Sequence, residues 1–475
     1  MIDDDSHGGV PGAIVKPATT QLRCVSEPLE SPIEINGCEI PNRLYRAPLL
    51  ECAGEDEDAV DRLIEELRPA ADAGAGLIFQ GAAPVRAETG RVAPNMTPFA
   101  DPAFVDGLAA LPDAIHDVGG RIFVQLAHGG IRTLETWHAE YRRANPDLQQ
   151  LAVSELPWPL KLAARVGPLE YDLHVLSTAE VYDLAADFGA AAENAIEAGY
   201  DGIHLSGANM GIIQQFLSPF YNHRTDEFGG SLAARTRFLE VVHDEIRARV
   251  GDDVPLVTKV PAETAAPRFV RRRLSLADGV EIACRLDEIG FDALAPVRVS
   301  TFWDMSLVRG EYPDRAWTAE QFQPGYDAVF DSAVYRRLVP ILNRLQARRF
   351  SREPAWNEEF CAAVREAVSV PVLAEGGIRE RAQMDRLLAE GAADLLGMGR
   401  PFYAEPRIAA RLLDATSEAN PRAVCESCNN CTVPQVTGAP GICRTPAVLR
   451  ERGELARRGA YERRPDRTDD TESGQ

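Results

Sequence analysis

Lysine is scarce in this sequence, and basic residues are fewer than acidic ones. Lysine occurs three times in 475 residues, at Lys16, Lys161 and Lys259, and 72 acidic residues face 50 basic ones, for a formal net charge of −22. A nucleic-acid-binding surface needs a basic face for the phosphate backbone, so we expect no nucleic-acid partner. The arginine-biased, acidic composition fits a GC-rich genome and also a high-salt cytoplasm, where surface carboxylates keep proteins in solution.

Long apolar runs and a targeting pattern are also missing. We find no stretch of about 18 or more apolar residues, the length that indicates a membrane span. The first residues, Met1–Asp5, are acidic and lack the basic-then-apolar pattern of a signal peptide. Hydrophobic residues make up 45% and charged residues 26% of the chain, as in globular proteins. We therefore expect a cytoplasmic protein without a membrane partner, and the sequence does not indicate its oligomeric state.

Short apolar segments alternate with helical patterns along the chain. Eight such segments are strand candidates: 44–47, 76–80, 122–126, 202–205, 255–259, 293–296, 371–374 and 394–397. Amphipathic patterns at 179–198 and 381–390 predict two of the helices between them. The alternation predicts an α/β fold with a parallel sheet, and eight units predict a (β/α)8 TIM barrel. The first unit does not open with Gly-x-Gly-x-x-Gly, which argues against a doubly wound dinucleotide-binding fold.

The barrel is predicted to carry additional segments. Residues 33–40 alternate around Asn36-Gly37, which indicates an N-terminal hairpin that would close the barrel bottom. We expect four parts in the chain: a mobile leader at 1–25, the barrel at 26–415, a Cys-rich extension at 416–450 and a disordered tail at 451–475.

Two connections are long, 261–282 and 298–355. The second follows a strand end, where barrel active sites lie. It is either an active-site lid or substrate wall, or a packed surface subdomain, and its aromatic residues include Trp303, Tyr312, Trp317, Phe322 and Tyr326.

Several motifs resemble the Old Yellow Enzyme / NADH:flavin oxidoreductase family, in the family's order. They are Asn42–Pro48, Val124–Gly130, Gln215–Pro219 with Asn222–Ser231, and Ala374–Ile378 with Gly397–Pro401. The resemblance covers roughly residues 30–415. This part of the chain is similar to the barrel part of 2,4-dienoyl-CoA reductase and trimethylamine dehydrogenase. It implies an FMN-dependent enzyme that uses NAD(P)H and moves hydride to or from a small unsaturated organic substrate.

The resemblance also implies which residues hold FMN. Glycines at the ends of strands seven and eight let backbone N–H groups approach a phosphate, and a neighbouring arginine adds a charge-assisted pair; these residues are Gly376, Gly377, Gly399 and Arg400. Gln125 can both donate to and accept from the flavin pyrimidine edge. Lys259 takes the position of the family's cation near flavin N1 and O2. Backbone bordering the isoalloxazine ring is expected at Ala47, Pro48, Leu49, Gly81 and Ala82.

The segment after strand four departs from the family pattern. The family's two anion-binding donors correspond to Ser206 and Asn209, and its proton-donating tyrosine corresponds to Gly211. Ser206 and Asn209 can still donate two hydrogen bonds to a substrate oxygen, whereas Gly211 cannot supply a proton. His204 shares the strand parity of Ser206 and is either a displaced acid, a ligand-facing donor or a structural histidine.

The missing tyrosine leaves three functions open. The first is the NAD(P)H-linked oxidoreductase described above. The second is an amine-type dehydrogenase or demethylase, in which the substrate reduces the flavin. The third is a flavin-binding electron-transfer protein without ene-reductase activity.

Four of the nine cysteines lie close together near the end of the sequence. Cys425, Cys428, Cys431 and Cys443 have gaps of two, two and eleven residues, and in a cytosolic enzyme such a cluster indicates metal before disulfides. The related enzymes carry a [4Fe–4S] cluster with one residue more in the second gap. An iron–sulfur cluster, zinc and no metal all remain open. An iron–sulfur cluster here would require an external electron carrier.

Overall fold

The computed structural model describes residues 28–167, 169–265, 270–302, 304–414 and 420–462. The predicted leader at 1–25, residues 463–475 of the predicted tail and Trp303 lie outside the described residues. Among the helices that are described, none is both long and apolar enough to cross a membrane.

The strands of the described residues form a closed barrel and two small sheets. They are β1 (Ile33–Ile35), β2 (Cys38–Ile40), β3 (Leu44–Arg46), β4 (Leu77–Pro84), β5 (Arg121–Ala127), β6 (Gln150–Ala152), β7 (Leu173–Val175), β8 (Gly202–Leu205), β9 (Leu256–Thr264), β10 (Ala293–Ser300), β11 (Leu373–Glu375) and β12 (Leu395–Met398).

Eight parallel strands make up the barrel wall. Their order is β10-β9-β8-β5-β4-β3-β12-β11. A parallel bridge between Leu294 of β10 and Val372, directly before β11, joins the two edges of this sheet. The sheet is therefore closed, and each of the eight segments predicted from the sequence overlaps one barrel strand. The (β/α)8 prediction is confirmed.

Helices cover the barrel and fill its connections. They are α1 (Ala59–Asp72), α2 (Pro102–Gly107), α3 (Ala110–His116), α4 (Leu134–Trp137), α5 (Ala139–Ala144), α6 (Trp158–Val166), α7 (Thr178–Glu197), α8 (Ile212–Leu217), α9 (Leu232–Val250), α10 (Leu276–Ile289), α11 (Asp314–Thr318), α12 (Gln323–Val329), α13 (Ala333–Arg349), α14 (Glu358–Ala367), α15 (Arg381–Ala389), α16 (Arg400–Ala404), α17 (Ile408–Leu413) and α18 (Pro446–Arg457). Short 3-10 turns lie at Gly130–Arg132, Glu320–Phe322 and Val433–Thr437.

The predicted hairpin closes the bottom of the barrel. β1 and β2 pair antiparallel, and the turn residues Asn36 and Gly37 have φ of 45° and 76°, the left-handed values that this two-residue turn requires. Ile35 and Ile40 pack into a cluster with the starts of barrel strands, including Leu77. The amide of Asn36 donates to the carbonyl of Asp252 at 2.7 Å, which anchors the turn just before β9.

The long connection after β10 is both a packed subdomain and part of the central cavity wall. It folds into α11, α12 and α13. Trp317 lines the cavity, and its ring lies 4.9 Å from that of Tyr326, centroid to centroid. Val329 and Phe330 pack against Trp137 from the connection after β5. The two alternatives that the sequence left open for this connection are therefore compatible.

The predicted disordered tail begins too early. Residues 451–457 lie in α18, which starts with Pro446 in its first turn and buries Val448 against Ala404 and Val424. Further on, the hydroxyl of Tyr461 donates to Glu405 at 2.8 Å. The charged composition of the predicted tail gives no indication of these few buried contacts. They pack a short helix against the barrel.

Candidate active site

A cavity of about 530 Å³ opens at the carboxyl ends of the barrel strands. This is the end of the barrel at which active sites of the fold lie. All eight strands contribute to its wall, through residues in or directly after each of them: Ala47, Ala82, Gln125, Ser206, Lys259, Val297, Glu375 and Met398.

One end of the cavity is built from glycine backbone and arginine side chains. Gly376 and Gly377 have φ of 104° and 75°, which L side chains rarely adopt. A Cβ on Gly377 would lie 2.2 Å from the carbonyl oxygen of Glu353, so only glycine fits. Gly399 and Arg400 line the same end. Glycine backbone beside a guanidinium is suited to a phosphate.

Arg379 also lines this end of the cavity, and the sequence motifs did not indicate it. It lies two residues after Gly377, lines the cavity and is 6% exposed. Burial is the main cause that lowers the pKa of the Arg379 guanidinium, and the positive charges of Arg400 and Arg352 also lower it. The Cys425 thiol acts in the opposite direction. Its position directly behind the strand-seven glycines was the available signal.

Two polar pairs lie at or directly behind the cavity wall. The amide Nε2 of Gln125 lies 2.9 Å from Nδ1 of His204. The ammonium of Lys259 lies 2.7 Å from a carboxylate oxygen of Glu375, with 13% and 15% of the two side chains exposed. The sequence predicted Gln125 and Lys259 here, but gave Glu375 no role although it belongs to one of the quoted motifs.

His204 does not line the cavity. It lies behind Gln125 and is 1% exposed, with its ring 5.0 Å from that of Phe79. Burial, together with the positive charge of Lys259, holds the pKa of His204 well below its usual range. The histidine is therefore neutral. Its placement fits the structural alternative, and it reaches the cavity only through Gln125.

Gly81 also lies outside the cavity wall, whereas its neighbours Ala47, Pro48, Leu49 and Ala82 line it. A Cβ on Gly81 would lie 1.2 Å from the carbonyl oxygen of Leu49. The backbone N–H of Gly81 donates to Glu51 at 2.8 Å. Its role is thus to let β4 approach the Leu49 backbone closely.

The residues after strand four form the remaining wall. Ser206, Asn209 and Gly211 all line the cavity, and the guanidinium of Arg132 donates to the Asn209 carbonyl at 2.7 Å. His128 is a further lining residue. Burial, with a smaller contribution from Arg86, lowers the pKa of His128 to about 3. Its Nδ1 accepts from the Gly130 N–H at 3.0 Å, so a neutral imidazole presents Nε2 as its N–H group.

The four clustered cysteines line a second, small cavity next to the first. Burial, and to a smaller extent the three other thiols, raises the pKa of the Cys431 thiol to about 12, whereas the charge of Arg400 opposes this rise. Within the described ranges, no three His, Cys, Asp or Glu side chains already converge as a ligand group for a metal ion. The four thiols therefore border one small cavity, but they do not converge on a single metal position.

Comparisons with known proteins identify the barrel. A family model described as NADH:flavin oxidoreductase / NADH oxidase matches residues 28–298. A second model, described as dihydrouridine synthase, matches residues 341–436, which include the glycine and arginine end of the cavity.

Among curated relatives, the chain is 28% identical over 424 residues to an NADH oxidase of Thermoanaerobacter brockii, covering 86% of this chain and 56% of the relative. It is 26% identical over 432 residues to an N,N-dimethylglycine/sarcosine dehydrogenase of Chromohalobacter salexigens, covering 89% and 53%. A probable flavin mononucleotide-dependent alkene reductase of Leishmania infantum is 30% identical over 300 residues, covering 62% and 80%. The chain therefore spans about half the length of the first two relatives.

Solved structures share the fold. A 2-naphthoyl-CoA reductase in complex with 2-naphthoyl-CoA superposes with a TM-score of 0.68 at 18% identity, covering 90% of this chain and 58% of that one. At this level of identity the likeness supports the barrel alone.

Proposed function

The chain belongs to the NADH:flavin oxidoreductase / NADH oxidase family, and from this premise we propose that it is an FMN-dependent oxidoreductase. In this proposal hydride passes between NAD(P)H and a small unsaturated organic substrate, in one direction or the other. One observation carries the proposal: the side chains of Gln125 and Lys259 line the same cavity, at the carboxyl ends of the strands, as the phosphate-type end, which is formed by Gly376, Gly377, Arg379, Gly399 and Arg400. Bound FMN would supply the hydride acceptor and donor that the side chains lack.

The cavity residues divide into three tasks in this proposal. Gly376, Gly377, Gly399, Arg379 and Arg400 hold the phosphate. Gln125 and Lys259 face the pyrimidine edge of the flavin. The backbone at Ala47, Pro48 and Leu49, with Ala82, borders the ring.

Ser206 and Asn209 orient the substrate. Both line the cavity, and donors at these positions would stabilise negative charge on a substrate oxygen. Gly211 offers no proton, so an alkene reduction at this site takes its proton from another group or from water. A relative named as an alkene reductase supports an unsaturated substrate.

An anaerobic titration tests the proposal. NADH or NADPH added to the FMN-loaded protein should bleach the flavin absorption band in proportion to the nicotinamide added. An α,β-unsaturated ketone added afterwards should restore the band without oxygen. A band that only dithionite bleaches would contradict NAD(P)H-linked activity and would favour the electron-transfer alternative.

A second candidate function is dehydrogenation of an amine. Two observations favour it: glycine at the position of the proton-donating tyrosine, and the similarity to an N,N-dimethylglycine/sarcosine dehydrogenase. In such a reaction the substrate itself delivers hydride, and no proton donor to carbon is required. Bleaching of the flavin by sarcosine or dimethylglycine, without nicotinamide, would distinguish this function from the first.

For the four cysteines we propose a [4Fe–4S] cluster that passes electrons to an external carrier in the cytoplasm. Thiolates suit both iron–sulfur clusters and zinc. The four thiols line one cavity, and their spacing is close to that of the iron–sulfur cluster in the related enzymes, which favours the [4Fe–4S] cluster over zinc. Iron and acid-labile sulfide near four atoms each per chain are expected after anaerobic purification. One zinc per chain without sulfide would contradict this assignment.

A further inference from the structure

The segment that carries the first three clustered cysteines also forms part of the wall of the proposed FMN cavity. We call residues 425–431 the cysteine segment. The large cavity and the small one share three lining residues, namely Arg400, Ser427 and Asn429. The two proposed sites therefore share side chains as well as a border.

Arg379 is held by the cysteine segment on its far side. Its Nη1 donates to the carbonyl oxygen of Cys425, and its Nη2 donates to the hydroxyl of Ser427. The same Nη2 lies 3.7 Å from the Cys425 sulfur. The backbone of Arg379 pairs with the same chain region, because its carbonyl accepts from the Ala423 N–H at 2.9 Å.

Arg400 is held in a similar way. Its Nη1 donates to the side-chain oxygen of Asn429, and its Nη2 donates to the carbonyl of Arg309 at 2.7 Å. Asn429 in turn donates to the Val308 carbonyl at 2.9 Å. Both guanidinium groups at the phosphate-type end are thus positioned by residues that lie between clustered cysteines.

The backbone of the cysteine segment adopts its shape under constraint. Ser427 and Asn429 have φ of 58° and 60°, left-handed values that are unfavourable for serine in particular. Such conformations persist only where surrounding contacts hold them. The contacts to Arg379 and Arg400 supply part of that support, and ligation of the neighbouring thiols would supply more.

We propose that Arg379 couples FMN binding to the state of the four cysteines, so that ordering either site favours the other. The inference rests on the proposed FMN site. A phosphate between the guanidinium groups would relieve their mutual repulsion and fix Arg379 against Cys425 and Ser427. In the other direction, a segment fixed by its thiols would preorganise Arg379 for the phosphate. Thermodynamic linkage requires the two effects to be equal.

The first test uses the unmodified protein with and without FMN. Where the thiols hold metal, the rate of metal release to a chelator is measured; where they hold none, the rate of maleimide labelling of Cys425, Cys428, Cys431 and Cys443 is measured by mass spectrometry. We expect FMN to slow the measured rate about tenfold, a typical size for coupling between sites. Cys284 on α10 is the internal control for labelling, and its rate should stay constant.

The second test is a double-mutant cycle on FMN affinity. R379Q removes the coupling side chain, and C428S alters the segment at a thiol for which the structure gives a contact to Thr445 and not to Arg379. We expect each single variant to weaken FMN binding about tenfold, and the double variant to be no weaker than R379Q alone. R379K should restore part of the affinity, and C284S should leave it within about twofold.

The outcomes separate this inference from the function on which it rests. Equal chelator or maleimide rates with and without FMN would overturn the coupling, as would additive losses in the double variant. Protection by FMN that persists in R379Q would assign the coupling to a different residue and also overturn the proposal. Failure of the unmodified protein to bind FMN would instead reject the proposed function.

Discussion

At the scale of single residues, most of the predicted site residues line the cavity, because each lies at the end of a barrel strand. Gln125, Lys259, Gly376 and Arg400 all line one cavity, as motif order and the parallel sheet implied. The partners of these residues could not be predicted. Glu375 pairs with Lys259, and the two residues are 116 positions apart in the sequence. A local hydrophobic pattern cannot predict a contact between residues so far apart.

The Glu375 pairing gives a prediction about the flavin. A carboxylate next to Lys259 offsets the positive charge that would otherwise stabilise electron density on the ring. E375Q should therefore bind sulfite, a nucleophile that adds to electron-poor flavins, about tenfold more tightly, because ~1.4 kcal/mol corresponds to a factor of ten. A spectrophotometric sulfite titration measures this. E353Q, which removes a cavity carboxylate paired with Arg309, is the matched control, and equal affinities in both variants would refute the role of Glu375.

Arg400 gives a prediction about cofactor retention. Its charge-assisted contact with a phosphate is worth roughly 1.5–3 kcal/mol, so R400A should weaken FMN binding by a factor of about 10 to 100. Quenching of flavin fluorescence on binding measures the dissociation constant. Full FMN occupancy in R400A after extensive dialysis would count against the phosphate assignment.

Gly211 gives a prediction about proton supply. Its backbone has φ −63°, and the nearest atom to an added Cβ is the His128 carbonyl at 3.3 Å, so a side chain requires only a small adjustment. G211Y should raise turnover of an α,β-unsaturated ketone, since the phenol can protonate the substrate carbon. Steady-state assays with NADPH measure the change. Unchanged turnover would mean that protonation is already supplied from elsewhere.

At the scale of elements, hairpin and strands could be predicted, whereas the C-terminal helix could not. Alternation around Asn36-Gly37 and eight apolar runs are local signals, and both appear in the structure. Five of the twelve residues of α18 are charged, and only Val448 within it is buried. The helix packs through distant contacts to Ala404 and Val424, which local composition cannot reveal.

The contact of Tyr461 with Glu405 gives a prediction about stability. Glu405 is fully buried and also pairs with Arg411, so its hydrogen bond to the Tyr461 hydroxyl is costly to lose. Y461F should lower the free energy of unfolding by about 1–3 kcal/mol. Urea unfolding followed by circular dichroism measures it. A stability equal to that of the unmodified protein would show that the segment after α18 does not hold this contact in solution.

At the scale of the whole molecule, one barrel organises all of the proposed chemistry. The strand ends gather the FMN residues, the connection after β10 adds a wall, and the cysteine segment closes the phosphate-type end. The fold followed from the alternation of strands and helices. The wall that the two sites share could not be predicted in this way, because it depends on how the cysteine segment packs against Arg379 and Arg400.

The most direct measurement is the absorbance spectrum of freshly purified protein, with the extracted cofactor identified by mass spectrometry. We expect a yellow protein with about one FMN per chain, or a colourless one that takes up one equivalent of added FMN. A protein that carries no flavin and does not bind FMN at micromolar concentration would contradict the assignment of the cavity.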